Sequence, residues 1–299
     1  MIAIIGPTAS GKTSLAVALA DKIGGEIISA DSRQVYRGMD IGTGKDIEEY
    51  QINEQKIPYH LIDIHDAGYE YNVFEFQRDF LESHQTIVDR NKIPILCGGT
   101  GMYIEAALGK YKLIEVPRNE TLRNSYVDMS NEELLSDLSK LKKLHNTSDS
   151  IDRKRIIRAL EIEYYYRDNK IVEEKLPEIQ TNLFAIQFER SELKKRITKR
   201  LKQRLNQGMI AEVEGLIHKG LSVEQLKFYG LEYKFLALHV SGELSYNDMY
   251  QKLNSAIHQF AKRQMTWFRR MEKRGFIINW MPSSYSLEKK MNFVINTLN

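Results

Sequence analysis

Met1-Ile-Ala-Ile-Ile5-Gly6-Pro-Thr-Ala-Ser-Gly11-Lys12-Thr13 opens the chain and decides its fold. Residues 1–5 form a short apolar run suited to a buried strand, and residues 14–22 carry helical periodicity. Between them stands the G-x-x-x-x-G-K-[ST] phosphate loop, with the strand before and helix after that the motif requires. The chemistry explains the spacing. Gly6 and Gly11 let the backbone curl so that successive N–H groups point into one concavity, and the helix N-terminus adds partial positive charge. Lys12 neutralises phosphate oxygens, and the Thr13 hydroxyl is a ligand for Mg²⁺. Gly6, Pro7, Thr8, Ala9, Ser10, Gly11, Lys12 and Thr13 are therefore the expected diphosphate or nucleotide site. The motif specifies phosphate strongly and the reaction that follows weakly.

Bulk properties narrow the class. A chain of 299 residues, 42% hydrophobic, can bury a substantial core as one large domain with an insertion or as two domains. The formal charge is only +3, so any surface for a polyanion must come from local clustering. Cys97 is the sole cysteine, which excludes an intramolecular disulfide and a Cys-rich zinc site and fits a reducing cytosol. Inside Ile93-Pro-Ile-Leu-Cys97-Gly98 it reads as a small buried strand residue. The seven histidines, His145 among them, show no ligand spacing. No signal-peptide pattern and no run of eighteen apolar residues occurs, so the expectation is a cytoplasmic protein without a membrane partner. A monomer is expected, although no sequence feature reveals the oligomeric state.

Strand and helix signals then alternate at the spacing of a parallel sheet. Residues 25–30 read as a second strand that delivers Asp31-Ser-Arg-Gln-Val-Tyr36 at its carboxyl end, where ligands of open α/β sheets sit. Residues 59–64 look like a strand or strand end, 72–90 like a helix, and 93–97 like an interior parallel strand. That strand runs into Gly98-Gly-Thr-Gly101, a second glycine turn at the same edge. From about 115 to 175 the patterns are mostly helical, at 131–143 and 152–167, and strand character returns at 182–188. The expected fold class is thus α/β: a P-loop NTPase-like parallel sheet flanked by helices, with a helical insertion. The core takes residues 1–114 and 182–299, and the insertion takes 115–181.

Two basic stretches follow. Residues 189–204 hold eight Lys or Arg against two acids, and Lys262, Arg263, Arg269, Arg270, Lys273 and Arg274 surround Trp267 and Phe268. Taken singly, such stretches read as solvated helix faces. Together with Arg153, Lys154, Arg155 and Arg158 they suit a groove that holds backbone phosphates while aromatics stack on bases.

Six segments then carry a resemblance more specific than the phosphate loop. They are residues 6–13, Ile28-Ser-Ala-Asp-Ser-Arg-Gln-Val-Tyr-Arg-Gly-Met-Asp-Ile-Gly-Thr-Gly-Lys45, Pro58-Tyr-His-Leu-Ile-Asp63, Pro94-Ile-Leu-Cys-Gly-Gly-Thr-Gly-Met-Tyr103, Arg155-Ile-Ile-Arg-Ala-Leu-Glu161 and Ala261-Lys-Arg-Gln-Met-Thr-Trp267. In this order they resemble the motif series of the bacterial tRNA dimethylallyltransferases, also called tRNA isopentenyltransferases. The resemblance implies transfer of a five-carbon group from dimethylallyl diphosphate, with Mg²⁺, to N6 of the adenosine 3′-adjacent to the anticodon. The implied partner is the anticodon stem-loop of tRNA.

That reaction makes sense of single residues. An exocyclic adenine amine is a poor nucleophile, so a carboxylate placed to take its proton helps, and Asp31 resembles the family base. Its competing readings are a helix N-cap or an Mg²⁺ ligand. As the carbon–oxygen bond breaks, charge gathers on the diphosphate, where Thr100 and Arg196 resemble the family's stabilising donors. Arg200 lies close enough in the pattern to be confused with Arg196. The resemblance places Asp31, Ser32, Arg33, Gln34 and Thr100 against the flipped adenosine, the Gln34 amide matching an adenine edge. It also makes Arg123, Arg155 and Arg158 tRNA contacts. Arg263 and Gln264 lie in a family motif but are equally explained by helix packing and surface charge.

The chain departs from the family pattern at three places. Ser150-Ile151-Asp152 keeps only the aspartate of Pro-Asn-Asp, Gly230-Leu-Glu-Tyr-Lys234 replaces Gly-Tyr-(Arg/Lys)-(Gln/Glu), and Tyr59 replaces a frequent histidine. None touches the phosphate loop, Asp31 or Thr100. Two alternatives share those features: an adenylate isopentenyltransferase acting on free AMP, ADP or ATP, and a nucleotide-dependent RNA-binding module without catalysis. The first leaves the basic helices without a nucleic acid to hold. An ordinary small-molecule kinase leaves residues 31–45 unexplained.

Overall fold

The computed structural model describes residues 1–111, 113–142, 152–169 and 176–298. Ser150, Ile151 and His145, singled out above, lie outside the described residues. Two compact units emerge, Met1–Tyr111 with Glu178–Asn299 as one and Lys112–Pro177 as the other.

The larger unit begins with β1 (Ile2–Ile5), all four residues buried, and α1 (Lys12–Ile23), separated by the phosphate loop. The helix starts two residues earlier than its periodicity indicates, because Lys12 and Thr13 form its first turn. β2 (Gly25–Ala30) follows, then a two-residue hairpin, β3 (Gln51–Ile52) with β4 (Gln55–Lys56). The run at 59–64 yields only β5 (Tyr59–His60), since Leu61 and Asp63 take positive φ and leave extended geometry. α2 (Val73–Asp89) starts at a capping box between Asn72 and Glu75 and buries Phe76, Phe80 and Ile87. β6 (Ile93–Gly98) and α3 (Gly101–Ala107) complete the first half.

The smaller unit is helical: α4 (Glu120–Ser125), α5 (Asn131–Leu141) and α6 (Arg153–Asp168). Its own core joins Tyr126, Leu134, Leu138, Ile156 and Leu160. Each of these buried aliphatic side chains contributes roughly 1.5–3 kcal/mol.

The chain returns to the sheet with β7 (Asn182–Gln187) and then runs through α7 (Arg190–Asn206), α8 (Met209–His218), α9 (Val223–Phe228) and α10 (Leu231–Val240). The long α11 (Tyr246–Lys273), β8 (Ile278–Pro282) and α12 (Leu287–Leu298) finish it. The strand order is β5-β2-β6-β1-β7-β8, and every pairing is parallel. Register decides the site. Gly98 of β6 pairs with Ile5 of β1 on one side and Ala30 of β2 on the other. The three strands therefore end level, and Gly6, Asp31 and Gly99 leave the sheet side by side. Cys97 is buried in β6, and burial pushes its thiol up to about 12, which suits packing rather than nucleophilic chemistry.

Candidate active site

Where those strands end, a cavity of about 550 Å³ opens, lined by Thr8, Lys12, Thr13, Asp31, Ser32, Arg33, Gln34 and Thr100 among others. Asp31, Ser32, Arg33, Gln34 and Thr100 thus share one chamber with Thr8, Lys12 and Thr13 of the phosphate loop. A second cavity of about 450 Å³ lies against the other side of the loop, lined by Ala9, Ser10, Gly11 and Arg196. Lys12, Thr13, Arg200 and Arg204 border both.

The phosphate loop is held by its neighbours as well as by its glycines. Ala9 adopts φ 62°, a left-handed conformation costing on the order of 1–2 kcal/mol for a residue with a Cβ. Arg196 Nε donates to the Ala9 carbonyl at 2.9 Å and fixes that turn. Ser10 Oγ is buried with no protein partner among the described residues, as a hydroxyl awaiting an anionic oxygen would be. Burial lowers the pKa of Lys12, with Asp31 among the groups opposing the shift, so its charge is poised for an anion rather than for bulk water.

Asp31 follows β2 and accepts a hydrogen bond from the Arg33 amide at 3.0 Å, an Asx-type turn rather than a helix cap. That bond uses Oδ1. Among the described residues no protein donor engages Oδ2. Thr100 Oγ1 accepts from the Ser32 amide at 3.3 Å, which ties the second glycine turn to the Asp31 segment. Gln34 lines the cavity and is anchored at both amide atoms: Oε1 accepts from Ser29 Oγ at 2.9 Å and Nε2 donates to the Gly44 carbonyl at 3.1 Å, which leaves one lone pair and one N–H. Arg33 lays its guanidinium 5.3 Å from the centre of the Phe228 ring.

Arg196 and Arg200 have different partners. Arg196 grips the loop backbone, whereas Arg200 and Arg204 converge on Asp46 Oδ2 at 2.7 and 2.9 Å. Burial works to raise the Asp46 pKa, but the two guanidiniums overcome it and hold the carboxylate below its ordinary range. In the helical unit Glu161 plays the corresponding part. Its fully buried side chain takes two bonds from Arg123, at 2.7 and 2.9 Å, and one each from Arg158 and the Asn119 amide. Arg158 also donates to the Val116 carbonyl at 2.7 Å. Arg155 is different: its side chain is 71% exposed, and its only ion pair among the described residues, with Asp152, is at 3.9 Å.

Several cavity residues escaped the sequence reading. Phe228 and Phe260 are partly exposed aromatics of its lining, and Glu232 adds a carboxyl whose pKa burial raises. Glu232 sits in the Gly230-to-Lys234 departure, so the broken motif was its signal. Glu212 accepts the Asp40, Ile41 and Gly42 amides at 2.8, 2.7 and 3.0 Å and so holds the loop that supplies Gly42 and Thr43 to the cavity. No motif announced it.

Among the described residues no cluster of three or more His, Cys, Asp or Glu could chelate a cation, and no helix is long and apolar enough to cross a membrane.

Comparison with known proteins agrees with this geometry. The IPP transferase family model matches residues 34–271, and the isopentenyl transferase model matches residues 1–58. A tRNA dimethylallyltransferase 2 of Bacteroides fragilis is 54% identical over 98% of this chain and 96% of its own length. A tRNA dimethylallyltransferase 1 of Geotalea uraniireducens is 55% identical over 94% and 92%. The crystal structure of a tRNA delta(2)-isopentenylpyrophosphate transferase from Staphylococcus epidermidis superposes with a TM-score of 0.70 at 31% identity, covering 100% of this chain and 98% of that one. With a level trio of strand ends, a phosphate loop and an aspartate on one cavity, and relatives matched over nearly its whole length, the chain belongs to the IPP transferase family.

Proposed function

We propose that this protein transfers a dimethylallyl group from dimethylallyl diphosphate to N6 of the adenosine 3′-adjacent to the anticodon of tRNA. One observation carries the reading: Asp31 and Thr100 open onto the same chamber as Lys12 and Thr13. A donor diphosphate lies in the phosphate loop, its C1 directed into the chamber. The N6 lone pair attacks C1, the C1–O bond breaks, diphosphate leaves, and the amine proton passes to Asp31 Oδ2. Lys12, the loop amides and Arg196 receive the charge that gathers on the leaving oxygens. Thr100 belongs to the adenosine side of the chamber.

Mg²⁺ fits this site only as a substrate-borne ion. Thr13 offers one hydroxyl, so diphosphate oxygens and water must complete the shell, which is how Mg²⁺ is usually held beside phosphates. When bound it neutralises part of the diphosphate charge. The tRNA contacts assigned to Ser32, Arg33, Arg123, Arg155 and Arg158 belong to this same proposal. Gln34, tied to Ser29 and Gly44, belongs to the adenosine side of the same proposal.

Purified protein supplied with Mg²⁺, labelled dimethylallyl diphosphate and either an unmodified anticodon stem-loop or AMP tests the reading by nucleoside analysis. Label on the stem-loop adenosine is the expected result. Label on AMP alone would replace it with the adenylate reaction.

A further inference from the structure

Helix α11 meets both glycine turns of the site through two side chains one turn apart. Gln264, 7% exposed, accepts the Thr8 amide on Oε1 at 2.9 Å and donates from Nε2 to the Gly99 carbonyl at 2.9 Å. One amide therefore bridges the phosphate loop to the turn that bears Thr100, across sequence separations of 256 and 165 residues. The approach is close. A Cβ on Gly99 would lie 2.4 Å from Gln264 Nε2, and one on Gly101 would lie 2.3 Å from the Trp267 ring, so glycine is required at both. Thr100 stands between these two contacts.

We infer that Gln264 is a positioning residue that fixes the offset between the donor's diphosphate and the acceptor-side pair of Asp31 and Thr100. The inference rests on the proposed reaction for its consequence and on geometry alone for its mechanism. A glutamine suits the task because its amide presents one acceptor and one donor on a planar group. Here they meet a backbone N–H from one turn and a backbone C=O from the other. Neither partner is a side chain, so each turn keeps its own substrate contacts when the bridge is cut. What is lost is their mutual alignment, and an error of about 1 Å between reacting groups costs roughly a hundredfold in rate.

The test uses the full chain with Gln264→Met, which fills the same space without donor or acceptor, and Gln264→Glu, which retains only the acceptor for Thr8. The first readout is the single-turnover rate constant with enzyme in excess over the stem-loop, which does not depend on the fraction of enzyme folded. Gln264→Met is expected to lose about a hundredfold, with apparent affinity for each substrate within about threefold of the parent, and Gln264→Glu to lose less. A rate within threefold of the parent, or a loss confined to one substrate's affinity, overturns the inference.

The second readout needs no transfer. In the parent, inorganic pyrophosphate with Mg²⁺ is expected to slow amide hydrogen exchange in residues 6–13 and also in 99–104. In Gln264→Met the first protection persists and the second is lost. Equal protection of 99–104 in both proteins overturns the inference. A parent that shows this coupling but prenylates nothing refutes the proposed reaction and leaves the bridge standing.

Discussion

Two arginine pairs, each gathered on one carboxylate, lie in the two units and differ in burial. Arg200 and Arg204 hold Asp46, whose side chain is 37% exposed, beside the phosphate loop. Arg123 and Arg158 hold Glu161, whose side chain is fully buried, inside the helical unit. The first carboxylate borders the cavity at the loop. The second also receives the Asn119 amide, so it caps and joins helices. Similar residue types thus border the phosphate loop in one unit and tie helices together in the other, and sequence pattern alone does not tell the two settings apart.

The largest effect separates catalysis from both pairs. Asp31→Asn keeps the Asx turn, because the amide oxygen still accepts from Arg33, but it cannot take the N6 proton. We expect the single-turnover rate to fall by about 10²–10⁴ with little change in unfolding midpoint. Full transfer by this variant would remove Asp31 from the role of base.

Glu161→Gln comes next and strikes stability. Replacing the buried carboxylate removes the charge that Arg123 and Arg158 share, and because those guanidiniums are 25% and 40% exposed the loss is screened to about 1–3 kcal/mol. Asp46→Asn removes a carboxylate that is 37% exposed, so it should cost less, about 1 kcal/mol, most of it from Arg204, whose side chain is only 10% exposed. Denaturant unfolding followed by hydrogen exchange in 113–142 and 152–169 distinguishes them. Equal costs would erase the contrast between the pairs.

The contrast also shows what the sequence made legible. The phosphate loop, Asp31 and Thr100 were readable because each sits within a few residues of a short buried strand, and parallel pairing brings strand ends together with little freedom. Arg196 and Arg200 differ only in three dimensions, since both lie on α7, Arg196 reaching Ala9 and Arg200 lining the chamber of Asp31. Gln34 carries contacts that its sequence does not announce: its amide chemistry suits adenine, and Ser29 and Gly44 also hold it. Gln264 lies in a recognisable segment, yet its two backbone partners are known only once α11 is docked. Contacts between distant segments follow from packing rather than from local pattern.

Acid sharpens the comparison through linkage. The bonds from Arg123, the Asn119 amide and Arg158 overcome burial and hold Glu161 below its ordinary 4.5. A carboxyl depressed in the folded state contributes stability that is complete above its unfolded pKa and lost as pH falls through its folded one. The helical unit should therefore keep its stability at pH 5 and lose it progressively below 4.5, and Glu161→Gln should flatten that limb. Asp46, depressed below 3.8 by Arg204 and Arg200 against burial, gives a weaker limb starting lower. Unfolding midpoints between pH 3 and 6 for the parent and both variants would show the two limbs apart, or merged.

The smallest effect belongs to the arginine that neither carboxylate holds tightly. Arg155 projects from α6 with most of its side chain in water, so Arg155→Ala should leave folding unchanged. If it meets a tRNA phosphate, the logarithmic salt slope of stem-loop binding should become shallower by about one unit, and affinity at low salt should drop a few-fold. Arg158→Ala, by contrast, removes a bond to Glu161 as well, so its loss of binding should be accompanied by a lower unfolding midpoint. An unchanged slope for Arg155→Ala would make that side chain an ordinary solvated charge and leave Arg123 and Arg158 as the helical unit's proposed tRNA contacts.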